Sequence, residues 1–177
     1  MARTVDGVQP CDMGTLTPQG PDWIHTAPYQ PSATRDLDAS PAEVFAALID
    51  HENWPKWFTN IERVERFGDQ HEGVGSHRRV HINKRVAIDE EFNVWEPNER
   101  WGFTILSATI GGLNSMNELV TIEDLGDDRS RVTYTMGIDA KLLVAPLLKV
   151  GRKAVQKNLA NALDNLGPYI VSQRPTG

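Results

Sequence analysis

Polar and apolar positions along the chain change period twice, and each change predicts a change of structure. No period survives in the first 32 residues. Pro10, Pro18, Pro21, Pro28 and Pro31 alternate there with Gly7, Gly14 and Gly20, and Trp23, Ile24 and Tyr29 are isolated apolar anchors. Residues 1–32 are therefore expected to form an extended arm, followed by a domain over 33–172. The domain starts with ATRDLDA, a short alternating strand. Ser40-Pro41-Ala42-Glu43 then has the form of a helix start, with serine as N-cap, proline at the first helical position and glutamate closing a capping box. Val44, Phe45, Leu48 and Ile49 follow at helical spacing, and a second short helix is expected over residues 51–58.

From Ile61 the period falls to two. ERVERF, SHRRVHI, RVAIDEEFNVW, RWGFTILSATI, SMNELVTIEDL and SRVTYTMGI read as six strands. They are joined by turns at 68–75, Asn83-Lys84, 96–99, Gly111-Gly112 and Gly126-Asp127-Asp128, a spacing that predicts an antiparallel meander. The second change comes near Leu142. Leu148, Val155, Leu159, Ala162, Leu163, Leu166 and Ile170 mark one side of a long helix entered through Pro146 and weakened at Gly151. Lys149, Arg152, Lys153 and Lys157 mark its other side, read as a solvated face. The class is α+β: about seven strands in a curved antiparallel sheet wrapped around a long C-terminal helix, with two short helices after the first strand. One helix cannot fill such a sheet along its whole length, so a ligand-sized hollow is expected between them.

Composition narrows the partners. The chain has 177 residues, 40% of them hydrophobic, with 18 Lys+Arg against 24 Asp+Glu. A net charge of −6 argues against a nucleic-acid partner. No apolar run is long enough for a membrane span, and MARTVDGVQPCDMGTLTPQG lacks the apolar middle of a secretory signal. Cys11 stands alone, as suits a reducing compartment. A soluble, cytoplasmic protein without integral membrane association is expected, and a homodimer is left open.

In order and spacing, SPAEVFAALID, WPKWFTNIERVE, GVGSHRRV, EEFNVWEPNERWGF, DDRSRVTYTM and the final helix resemble a known superfamily. It is the helix-grip superfamily that includes the birch pollen allergen, START lipid-transfer domains and bacterial polyketide cyclase/dehydrase-like proteins. The resemblance runs from about residue 33 to 172. It implies a cavity for small, mostly apolar ligands and no single chemistry, since members include enzymes, carriers and sensors.

Strand parity nominates the residues facing the hollow. SHRRVHI should turn Ser76, Arg78, Val80 and Ile82 inward, leaving His77, Arg79 and His81 to solvent. The next strand offers Val86, Ile88, Glu90, Phe92 and Val94, although the resemblance would also allow Glu91. Trp101, Phe103 and Ile105 form one further row, and Met116, Glu118, Val120 and Ile122 another. The last strand contributes Val132, Tyr134, Met136 and Ile138. Trp54 and Trp57, followed by Phe58, are either packing residues or a lid, and Leu148, Val155 and Leu159 approach from the helix. Arg78, Glu90 and Glu118 are charges on apolar faces, so they must pair, hydrate or bind something polar. Either they form an ion pair, or Arg78 marks a polar end that meets a ligand carboxylate, with Tyr134 as a further donor.

Neither a cofactor nor a metal ion is expected. His77 and His81 lie roughly 13 Å apart on a strand, too far to share a zinc ion. Gly73-Val74-Gly75 lacks the third glycine of a dinucleotide fingerprint, and no GxSxG elbow exists. Asp124, Asp127 and Asp128 read as turn residues. The sequence leaves binding and catalysis both open. The favoured reading is a cavity for a small hydrophobic or amphipathic molecule of lipid, polyketide or aromatic type. The alternatives are a polyketide cyclase/dehydratase using Arg78, Glu90 and Glu118, and a stress or assembly module using the basic helix face.

Overall fold

The computed structural model describes residues 13–175, so Cys11 lies outside the described residues. The chain order is β1 (Gly14–Thr15), a 3-10 turn (Pro21–His25), β2 (Ser32–Leu37), α1 (Pro41–Ile49), a second 3-10 turn (His51–Asn53) and α2 (Trp54–Trp57). There follow β3 (Ile61–Phe67), β4 (His77–Ile82), β5 (Val86–Glu96), β6 (Arg100–Ala108), β7 (Leu113–Gly126), β8 (Arg129–Ala140) and α3 (Ala145–Gln173). The strands pair antiparallel in the order β2-β8-β7-β6-β5-β4-β3, and β1 adds to β6. This is the meander expected from the period-two segments, with β2 returning to pair with the last strand.

Local chemistry sets the element boundaries. Glu43 N donates to Ser40 Oγ (3.4 Å) and Ser40 N to Glu43 Oε2 (2.8 Å), closing the capping box that starts α1. The segment expected as one short helix over 51–58 is two pieces, because Pro55 suits the start of a helix better than its continuation. Asn83 and Lys84 both adopt positive φ, 49° and 57°, giving a two-residue hairpin turn whose twist matches its strands. The long helix begins at Ala145 rather than Leu142, with Pro146 in its first turn, and continues past Pro168 to Gln173.

α3 lies against the inner face of the sheet. Leu159, Ala162, Leu163, Leu166 and Ile170 are buried in the main core, together with Val44 and Leu48 of α1. Its first turns are different: Leu147 and Val150 are exposed, as are Leu142 and Leu143 just before it. The stretch before β2 crosses the outer face. Leu16 first joins the main core where its backbone pairs with Leu106, Gln19 then donates to Thr104 and Ser115 at 3.0 Å each, and Ile24 forms a second apolar cluster with Val94 and Leu119. At Gly137 the 3-10 turn comes so close that a Cβ would meet Ala27 and Trp23 at 3.1 Å. Val94 thus faces outward, against the expectation from parity. The β5–β6 register shifts between Phe92 and Val94, and Trp95 takes the inward place against Phe45 and Phe92.

Candidate functional site

The β4–β5 register places opposite charges across from one another on both faces of the sheet, with Arg78 facing Glu90 and Arg79 facing Asp89, and it sets His77 opposite Glu91. The outer pairs close at the surface, with His77 3.1 Å and Arg79 2.6 Å from their partners. Glu90, not Glu91, is therefore the inward carboxyl. Arg78 Nε donates to Glu90 Oε2, and both side chains are essentially without solvent contact.

The guanidinium is also enclosed by rings. Its central carbon lies 4.1 Å from the ring centre of Trp54, 4.7 Å from Phe103, 4.9 Å from Trp101 and 5.2 Å from Phe92. Aromatic faces attract a cation at such distances, and Nη1 and Nη2 have no other partner among the described residues. His51 stacks on Phe92 at 5.4 Å and is held neutral, its pKa lowered to about 2 by burial and then by Arg78 and Arg66.

Beside this packed cluster lies a cavity of about 280 Å³. Val80, Ile82 and Ile88 line it from β4 and β5, Phe103, Met116, Tyr134 and Met136 from β6 to β8, and Leu148, Val155 and Leu159 from α3. Phe58 closes one side, and Ile110 and Asn158 are exposed where the cavity meets solvent. Asn60 Nδ2 donates to Asn158 Oδ1 at 2.6 Å, joining the loop before β3 to α3.

Two acids interrupt the apolar wall, Glu90 and Glu118. Glu118 faces Met136 across the β7–β8 pair and Val120 faces Tyr134, so Glu118 and Tyr134 are diagonal neighbours. The Tyr134 hydroxyl donates to Glu118 Oε2. Burial pushes both carboxyls up, Glu90 to about 7 despite Arg78, and Glu118 to about 8 with the Glu90 charge adding to the effect. Tyr134 is raised well above its usual value by burial and by Glu118.

Of the residues nominated from sequence, Trp54, Phe58, Val80, Ile82, Ile88, Glu90, Phe103, Met116, Glu118, Tyr134, Met136, Ile138, Leu148, Val155 and Leu159 meet in the cavity wall. Trp57, Arg78, Phe92 and Trp101 do not. The aromatic rings and Glu90 separate the guanidinium from the cavity, so Arg78 is not the polar end that parity suggested. Parity distinguishes the two faces of a strand, but it cannot say which inward residues meet packing and which meet space. Sequence reasoning nominates none of Asn60, Ile61, Leu113 and Asn158, and Ile110 enters it only at the end of a strand. Ile110 and Leu113 flank Gly111-Gly112, where a turn was the stronger signal. Asn158 precedes Leu159 on the helix, a register signal that its polarity hid.

No helix in the described residues is long and apolar enough to cross a membrane. The fold is that of several solved structures. A START superfamily protein from Mycobacterium smegmatis superposes with a TM-score of 0.66 at 18% identity, covering 80% of this chain and 99% of that one. The Zhui aromatase/cyclase from Streptomyces sp. R1128 gives 0.68 at 16% identity, covering 81% and 94%. Truncated norcoclaurine synthase from Thalictrum flavum gives 0.63 at 13%, covering 82% and 94%. An uncharacterized protein of Mycobacterium tuberculosis is 30% identical over 150 residues, or 85% of this chain and 89% of the relative. The family model described as "Polyketide cyclase / dehydrase and lipid transport" matches residues 30–170, and the chain belongs to that family.

Proposed function

We propose that the protein binds a small hydrophobic or amphipathic molecule in the cavity between α3 and the sheet. The observation that supports this most strongly is the wall itself: aliphatic, methionine and aromatic side chains interrupted by few polar groups. Ligand sites are built in that way. The volume of about 280 Å³ lies at the small end for such sites, which suits a compact aromatic or a short acyl chain better than a whole membrane lipid. Phe58, Val80, Ile82, Phe103, Met116, Met136, Leu148, Val155 and Leu159 are the proposed apolar contacts, with Glu90, Glu118 and Tyr134 as the polar ones.

A specific observation supports a second reading, acid–base catalysis on a keto substrate. Glu90 and Glu118 are buried in the cavity wall and titrate near neutrality, where a carboxyl can accept or deliver a proton at working pH. Three finer expectations accompany the binding reading. The arm expected over residues 1–32, of which 1–12 lie outside the described residues, is attached to a ligand-binding domain over 33–172. The lone Cys11 suits a cytoplasmic location. The exposed Leu142, Leu143, Leu147 and Val150 offer a surface through which two copies could pair.

Native mass spectrometry of the freshly purified protein tests the binding reading. A small-molecule adduct that mild activation releases is the expected result. Bare protein that also fails to retain added 2-ethylnaphthalene would contradict it.

A further inference from the structure

The cavity has a polar end, and its chemistry is acidic. The surrounding groups comprise one guanidinium and two carboxyls. Arg78 is paired with Glu90 and enclosed by four rings, so no ligand atom in the cavity can reach it. Glu118 has no counter-charge of its own: its only side-chain hydrogen bond among the described residues comes from Tyr134 and uses one carboxyl oxygen. Glu118 is 8% exposed, and the surface it keeps borders the cavity.

The charged and titratable groups facing it are Tyr134 from β8, Glu90 from β5 and, behind Glu90, Arg78 from β4. From α3 the cavity meets Leu148, Val155, Asn158 and Leu159, and from α2 Trp54, none of which titrates.

We infer that Glu118, held by Tyr134, stays protonated in the cavity and donates a hydrogen bond to the carbonyl oxygen of a neutral ligand, so that the site selects ketones and excludes carboxylates. This rests on the binding reading above and names the ligand class for that same cavity. A carboxylate ligand would be buried without a counter-charge, because Arg78 is out of its reach. An ammonium ligand would require an ionised Glu118 beside Glu90, and buried ion pairs gain little once desolvation is counted. A neutral donor–acceptor pair incurs neither cost and satisfies both groups. A buried acid kept neutral so that it can donate is an established device in apolar sites.

Equilibrium dialysis with four naphthalenes of similar size tests this: 2-acetylnaphthalene, 2-ethylnaphthalene, 2-naphthoate and 2-naphthylmethylammonium. At about pH 6 the ketone should bind about three- to tenfold more tightly than the hydrocarbon, the worth of one hydrogen bond, and at least about tenfold more tightly than the carboxylate. Raising the pH to about 10, above the Glu118 midpoint, should remove the advantage of the ketone while the hydrocarbon binds as before.

Glu118→Leu should remove the advantage at both pH values. Glu118→Gln retains a donor, so it should keep the advantage and lose its pH dependence. Retention of 2-ethylnaphthalene shows that a variant still has its cavity, and the wild-type pH series decides the matter if a variant fails to fold. Tighter binding of the carboxylate or the ammonium than of the ketone would overturn the inference. So would a ketone that binds no better than the hydrocarbon, a result that leaves the binding reading standing. If none of the four compounds is retained, the binding reading falls as well.

Discussion

In the packed part of the inner face, Arg78 is surrounded by Trp54, Phe92, Trp101 and Phe103 and paired with Glu90. Three strands away on the same face, Glu118 has a tyrosine on one side and open space on the other. Both are charged residues at apolar positions of β-strands. Packing determines their different outcomes. Large rings close around the guanidinium, which cannot lose its charge and so must be satisfied where it stands. The carboxyl can take up a proton, so the protein can leave it beside a void. The packed region satisfies its charge by enclosure, whereas the hollow one keeps a polar group beside open space.

Breaking the packed region should have the largest effect. Arg78→Met leaves Glu90 buried and unpaired, and should cost about 3–5 kcal/mol in urea unfolding. Adding Glu90→Gln should recover much of that loss, and the ranking of ketone over carboxylate should survive in the double variant. A ranking reversed by Arg78→Met would show that the guanidinium reaches the ligand after all. Next, Leu166→Ala, where α3 is fully buried, should cost about 2–5 kcal/mol, whereas Leu148→Ala beside the cavity should cost about 1 kcal/mol or less. Equal losses at the two sites would erase the distinction between the regions.

Val155→Phe places bulk in the hollow. It should leave stability unchanged or raise it by about 0.5–2 kcal/mol while abolishing retention of 2-ethylnaphthalene. The mildest perturbation changes only the solvent. Because burial raises the carboxyl of Glu118, the unfolded chain releases that proton first and the folded chain holds it longer. The stability of wild type minus that of Glu118→Gln, plotted against pH, should therefore fall from the ordinary glutamate range to about 8 and then level off, since the difference cancels the opposite contribution of the neutral His51. A curve that instead rises across this window would contradict the assignment.

Much of this was legible in the sequence. Ser40 and Glu43 announce α1, Asn83-Lys84 marks a hairpin, and period two from Ile61 onward delivers the meander in its correct order. The alternation that put Arg78, Glu90 and Glu118 on one face also holds. Two things were hidden. A bulge near Asn93 reverses parity for Val94 and Trp95, and its cause lies in cross-strand register rather than in local sequence. The separation of Arg78 from the cavity depends on rings contributed by α2, β5 and β6 together, a long-range arrangement that no spacing along one strand encodes. The outer-face apolar residues Val94 and Leu119 likewise make sense only once Ile24 is seen to cover them.

The most direct test of the difference between the two regions is the titration of the Glu118 carboxyl itself. It can be followed by carbon NMR on protein labelled at the glutamate Cδ, with Glu118→Gln identifying the signal. The account predicts that this resonance titrates near pH 8, far above the surface glutamates, because burial and the neighbouring Glu90 oppose its charge. A midpoint in the ordinary range near 4.3 would mean an ionised, solvated carboxylate and would contradict a neutral donor in the cavity.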